Sequence, residues 1–318
     1  MRKMLSATAS NKNRFGLFKV SLVSLGIIVL LVSIANVSNI NLQSTFNVKV
    51  LLGFFISQVA LFLYSLRFRL VMKSTGIPLK IIDAFRINTF AVFYHFFTPL
   101  SMGADLTKFI KLKKNHDSAS HRITSIIFDH VVGICSLVVL STSLFILRKP
   151  ELGELSLKGS QPLLGVALCI LTITVVVFRK DIKNVFENML LSIKGNWSLI
   201  FVAFYFSIIM HMTLAAGIFV GSHGIGVTIQ YIDILFVLSL SMILQSVPVS
   251  ILGVGATEVA GVAIYTAIGL PITTALLLVA LLYTYRLITS VAGGIWQLVD
   301  NNDAYSSSEK SKSISDSS

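Results

Sequence analysis

Long apolar runs separated by short polar, mostly basic stretches dominate this chain. Runs at about 16–35, 50–70, 122–147, 163–178, 197–220 and 272–298 approach or exceed the roughly 20 residues that cross about 30 Å of hydrocarbon. Two further apolar stretches, at about 84–107 and 232–270, are interrupted by Pro and Gly. The pattern predicts an all-α polytopic membrane protein with about six full spans. It adds two re-entrant or broken helical hairpins, in an inverted repeat.

The interruptions come as a pair. Gly76-Ile77 leads through an apolar stretch to Pro99, Gly103 and Asp105, and Gly224-Ile225 leads to Pro248, Gly253, Gly255 and Glu258. This register sets the copies 148 positions apart (224 − 76), with a breaker and a carboxylate at matching depth. Gly/Pro-interrupted apolar segments at corresponding places in two halves point to a transporter's binding site. Pro removes a backbone donor and Gly adopts the torsions a tight bend needs, so each break leaves backbone groups free. Such backbone is tolerated at membrane depth only when buried in protein or facing a watery cavity.

Composition agrees with a bilayer setting: 54% of the 318 residues are hydrophobic, 13% are charged and mean hydropathy is +0.83. The net charge of +12 changes the picture only through its distribution. With the N-terminus in the cytoplasm, 20 of the 26 Lys and Arg residues fall on the cytoplasmic side, the positive-inside pattern. That reading explains the basicity without nucleic acid and places a multi-pass protein in the cell membrane with both termini in the cytoplasm. Basic clusters at Arg67–Arg86 and Lys108–Arg122 flank 87–107, so the piece between them must enter the membrane and return. The chain then divides into a basic N-terminus (1–15), a transmembrane domain (16–300, pseudo-repeats about 16–147 and 163–298) and a Ser-rich tail (301–318). That tail buries too little apolar surface to order and is expected to be disordered.

Four charges sit where charge is costly: Asp105, Asp129, Glu258 and Arg286. Asp105 and Glu258 each follow a Gly-rich break and open a helix, where the dipole favours an acid. Lys108 follows Asp105 by three residues and shares its face. These charges either fix the fold as ion pairs or line a path for a lipid head group. A ligand carrying phosphate together with an amine or sugar matches the mixture best, since helix starts favour anions and the carboxylates favour donors. The candidate path is Pro99, Gly103, Asp105, Lys108, Asp129, Pro248, Gly253, Gly255, Glu258 and Arg286. His95 lies one turn before Pro99 and is a further candidate for the first hairpin; His211 is expected to be a hydrogen-bonded packing residue, and His116 and His121 solvated loop residues. No metal is expected from the six histidines, no cofactor motif is present, and Cys135 and Cys169 have no metal or redox spacing and are expected to pack.

These residues resemble the transmembrane region of lysylphosphatidylglycerol synthases, the flippase-like domain proteins. The resemblance runs from about Phe15 to Asp300. Its motifs stand as Pro99-Leu-Ser-Met-Gly103-Ala-Asp105-Leu-Thr-Lys108, Asp129-His130-Val-Val-Gly133, Pro248-Val-Ser-Ile-Leu-Gly253-Val-Gly255-Ala-Thr-Glu258 and Tyr285-Arg286. Three positions depart from the family pattern: Ala104 replaces Gly, Lys108 replaces Arg, and His130 stands where Arg is usual. Lys cannot reproduce bidentate Arg contacts, so head-group preference is expected to differ. The resemblance implies a flippase or translocase of a phospholipid or lipid-linked sugar. It does not imply a synthase, because the aminoacyl-transfer domain of two-part members does not appear in this sequence. The alternative is a non-enzymatic membrane partner or regulator of a glycosyltransferase or lipid synthase.

Overall fold

The computed structural model describes residues 47–97, 102–148, 196–245, 250–251 and 254–315. The expected spans at 16–35 and 163–178 and the break residues Pro99, Pro248 and Gly253 lie outside them. Eight helices order along the described chain: α1 Val48–Ser74, α2 Ile81–Phe97, α3 Met102–Leu112, α4 Ala119–Arg148, α5 Trp197–Gly224, α6 Tyr231–Gln245, α7 Ala256–Ala267 and α8 Ile272–Ser315. Four carry stretches long and apolar enough to cross a membrane: Val48–Ser74, Ala119–Leu147, Trp197–Gly224 and Ile272–Gln297. Each falls on a run marked by hydropathy alone. The interrupted stretches become short paired helices, α2 with α3 and α6 with α7, each too short for a comfortable single crossing.

Among the described residues the fold is all-helical, with one two-residue ladder at the second break, where β1 (Ser250–Ile251) pairs antiparallel with β2 (Val254–Gly255). This places Gly255 in a small ladder, where strand pairing satisfies backbone groups that a bare bend would leave open. The last helix also runs on through Ser315, across the stretch expected to be disordered from 301. A polar segment continuing an established helix avoids the cost of nucleation.

Helices α1 and α5 end on the positive-φ glycines Gly76 (φ 87°) and Gly226 (φ 76°), which stand 150 positions apart where the Gly-Ile match gives 148. Both ends close the same way. Ile77 N–H donates to Met72 O at 2.8 Å and Val227 N–H to Ser222 O at 2.9 Å, the six-to-one closure that uses a left-handed glycine. Pairing Gly76 with Gly224 follows the shared Gly-Ile dipeptide, which is chemically weaker than the need for a left-handed residue. Helices α2 and α6 then begin at equivalent residues, 81 and 231.

The equivalent helices α1 and α5 form the largest helix–helix contact, running antiparallel. The N-terminal part of α1 meets the C-terminal part of α5, where a Cβ on Gly53 would come within 2.9 Å of Gly221 N and one on Gly224 within 2.9 Å of Val50 N. At the other end, Asn196 Nδ2 donates to Ser74 O at 3.4 Å. Small residues let the backbones approach closely, as they do between membrane helices generally. Positions 150 apart make corresponding contacts: Arg67 reaches Ser207, and Gly217 lies against Ser57.

Two apolar cores flank this seam. One gathers Phe68, Val71, Met72, Ile87, Leu112 and Phe128 from α1 to α4; the other gathers Ile218, Ile234, Val237, Tyr265 and Leu278 from α5 to α8. A third, small cluster of Phe96, Tyr283 and Leu287 joins α2 to α8. It packs the first hairpin against the last span and positions the site.

Candidate functional site

Glu258 stands in the first turn of α7, directly after the β1–β2 ladder. Arg286 projects from the middle of the apolar part of α8. Its Nη1 donates to Glu258 Oε1 at 3.2 Å, and its Nη2 lies 3.2 Å from His95 Nε2 on α2. The guanidinium also packs over the Phe96 ring, 5.9 Å from its centroid. Three side chains from three helices therefore join the two hairpins at one point. The pair remains partly open, with Glu258 11% and Arg286 20% exposed. Beside it the Tyr283 hydroxyl is buried with no hydrogen-bond partner among the described residues. Glu258 also lines a small pocket, with Ser241, Thr257 and Tyr265 among otherwise mostly aliphatic walls. Glu258 is shared by the junction and the pocket, so the polar groups of the one adjoin the apolar walls of the other.

The first hairpin carries a different constellation. Asp129 on α4 is fully buried and receives two bonds from Arg67 on α1, Nε to Oδ1 at 3.1 Å and Nη2 to Oδ2 at 2.9 Å. Lys108 on α3 sits 3.6 Å from the same carboxylate and donates to Tyr64 Oη at 2.6 Å. Arg67 Nη1 continues to Ser207 on α5 at 3.2 Å, and Ser207 meets Ser136 at 2.6 Å. Gly133 makes room for this, because a Cβ there would meet Arg67 Nη1 at 2.7 Å. Bidentate geometry and a saturated hydrogen-bond shell are what a buried ion pair needs to offset its desolvation.

Asp105 forms a third, more open pair. Its Oδ1 lies 2.9 Å from His130 Nε2, with both side chains about half exposed, at 47% and 48%. Asp105 is also within electrostatic reach of Lys108 and His95.

The structure thus brings Glu258 and Arg286 together and adds His95. Asp105 stays within electrostatic reach of Lys108, but the nearest partners of Lys108 are Tyr64 and Asp129, while Asp105 pairs with His130 across to α4. Tertiary partners of opposite sign outweigh a same-face neighbour three residues away. Gly103 is buried in α3, where Thr107 Oγ1 donates to its carbonyl at 2.7 Å.

Arg67 and Lys108, counted with the cytoplasmic charge clusters, are instead buried ion-pair partners, 4% and 2% exposed. His211 has both ring nitrogens buried without hydrogen-bond partners among the described residues, against the expectation of a bonded packing residue. His121 and His116 stack at 4.4 Å, and His121 Nε2 contacts Thr75 O at 2.6 Å, so neither is a free loop residue. Cys135 is exposed on α4 rather than packed inside, and Cys169 lies outside the described residues. No group of three or more metal-type side chains occurs among the described residues.

Sequence reasoning overlooked Arg67, Tyr64 and Ser207. One signal was available: an acid at mid-span needs a cation, and Arg67 lies inside a 27-residue helix rather than beyond it. Searches of the curated proteins and of the solved structures returned no match to this chain. The family model described as the lysylphosphatidylglycerol synthase TM region matches residues 17–294. The match spans both hairpins and all three charge clusters, and the chain belongs to that family of membrane proteins.

Proposed function

We propose that this protein is a translocase that carries the polar head of a phospholipid or lipid-linked sugar across the cell membrane. The observation carrying this reading is the Glu258–Arg286–His95 junction, where polar groups from both hairpins and α8 converge beside an apolar pocket. The head group is held there by Arg286 on its anionic side and Glu258 on its donor side, while the acyl or polyprenyl tail stays in the bilayer. The two halves act as an inverted repeat with the hairpins at its centre and both termini in the cytoplasm. The antiparallel crossing of α1 and α5, and the matching of Arg67/Ser207 with Gly217/Ser57, support that symmetry. The protein acts by moving lipid rather than by catalysing bond chemistry, and its partners are membrane lipids and an envelope lipid synthase or glycosyltransferase that supplies or uses them.

Purified protein reconstituted into liposomes with a panel of fluorescent phospholipids and a lipid-linked sugar tests this directly. Wild type is expected to move at least one of them, and folded Glu258→Gln to move none. Full movement by a well-expressed Glu258→Gln protein would overturn the site and favour a role as a membrane partner that holds an envelope enzyme in place.

A further inference from the structure

The contact between Arg286 and His95 constrains the protonation of the imidazole. A guanidinium has only N–H donors and no acceptor. With Arg286 Nη2 lying 3.2 Å from His95 Nε2, the bond exists only when Nε2 offers its lone pair. His95 is then neutral, with its proton on Nδ1. A proton added to Nε2 removes the acceptor and places a second cation against Arg286. Imidazole is the side chain whose ordinary titration, near about pH 6.5, falls where cells operate.

The surroundings give a protonated His95 somewhere to go. From α8 it faces Arg286, and through it Glu258 on α7. From α3 it lies within electrostatic reach of Asp105, which is itself bound to His130 of α4. The contact of α1 with α2 includes Asn88, seven residues before His95, whose Nδ2 donates to Ser65 Oγ at 3.2 Å. Neutral His95 thus ties the first hairpin, through the α8 cation, to Glu258 of the second, whereas protonated His95 is repelled by Arg286 and drawn toward Asp105 of its own hairpin. The choice concerns the same junction at which the two hairpins meet.

We infer that His95 is a proton-binding site that couples proton uptake to separation of the two hairpins, making this protein a proton-dependent carrier. The proton adds to the Nε2 lone pair, the Arg286 bond breaks, and the guanidinium becomes available to an anionic head group. Loss of the proton to the other side of the membrane restores the closed contact. One proton is bound and released per cycle, with no other co-reactant. This mechanism rests on the translocase reading for its cargo, but the opening itself does not.

The experiment separates the two. Cysteines replace Leu106 on α3 and Val259 on α7, both exposed among the described residues, in a protein lacking Cys135 and Cys169. Spin labels there report hairpin separation by pulsed EPR in nanodiscs at about pH 8 and about pH 5.5, on either side of the ordinary histidine range. Acidification is expected to lengthen the distance in the parent and to leave His95→Gln, a neutral acceptor, unchanged in its closed form. A distance insensitive to pH, or an equal shift in His95→Gln, overturns the inference. In parallel, liposomes with fluorescent phosphatidylglycerol are assayed with and without an imposed pH gradient. A gradient is expected to change the wild-type rate by roughly tenfold, a modest population shift, with a flat response in His95→Gln. Lipid movement indifferent to the gradient overturns coupling even if the hairpins open. No movement of any lipid by wild type sinks the translocase reading alone, and the EPR result then decides the proton site by itself.

Discussion

The two hairpins carry superficially similar charge clusters that differ in how completely they are enclosed. Asp129 is fully buried: Arg67 binds both carboxylate oxygens, Lys108 lies beside them, and Ser207 and Ser136 extend the network. Around Glu258 the guanidinium makes one bond to the carboxylate and one to a histidine. The pair is partly exposed, and an unpartnered tyrosine and a pocket adjoin it. The first cross-links α1, α3 and α4 with its carboxylate fully enclosed, whereas the second keeps part of its surface open. Pairing alone therefore does not identify a working site in a membrane protein, since every buried charge must be paired.

The largest expected effect breaks that cross-link. Asp129→Asn leaves Arg67 and Lys108 buried without their counter-charge and is expected to cost about 3–5 kcal/mol of stability. Loss of thermal stability in detergent, with collapse of membrane abundance, checks this. Arg67→Met and Lys108→Met combined with Asp129→Leu should recover much of the loss, because a buried ion cluster removed as a unit no longer strands a charge. A thermally unaffected Asp129→Asn protein would erase the distinction drawn here.

Next in size is the seam on which both hairpins hang. A Cβ at Gly217 would meet Gly53 O at 2.7 Å and Ser57 N at 3.1 Å, both backbone atoms. Gly217→Val is expected to cost about 1–3 kcal/mol by overpacking, read as a lowered Tm. Gly226→Val tests a separate cause, the left-handed turn, where no atom crowds the added Cβ and only the φ of 76° opposes it.

Glu258→Gln sharpens the comparison from the other side. Its site is partly open and the amide keeps the shape, so thermal stability should fall by under about 1 kcal/mol while lipid movement is lost. Adding Arg286→Gln should not restore movement, unlike the rescue expected at Asp129. The smallest effect belongs to Asp105 and His130. Half exposed, their pair is expected to contribute about 0–1 kcal/mol, so His130→Ala should leave Tm nearly unchanged. A large drop there would make the first hairpin an anchor throughout.

Hydropathy and breakers made much of this architecture legible. Helices α1, α4, α5 and α8 begin within about three residues of the apolar runs, and the interrupted stretches became helix pairs. Glu258 and Asp105 stand in first turns because a break followed by an acid is a local signal. The partners were not legible, for a physical reason: Arg67 meets Asp129 across 62 positions and His95 meets Arg286 across 191, and only packing decides such meetings. The Gly-Ile spacing differs by two from that of the positive-φ glycines because a dipeptide match does not register the conformational demand at Gly76 and Gly226. The span-terminal Arg67 was read as a topology charge because basic residues at span ends usually are.

The α1–α5 seam has a consequence for how the chain is held together. Its contacts pass between α1 and α5, which lie on opposite sides of the 149–195 stretch in sequence. Covalent continuity is then dispensable for assembly in a way it would not be if each half packed only on itself. Two co-expressed fragments, divided near residue 160, should find one another in the membrane and co-purify, and Gly53→Leu in one fragment should abolish that recovery.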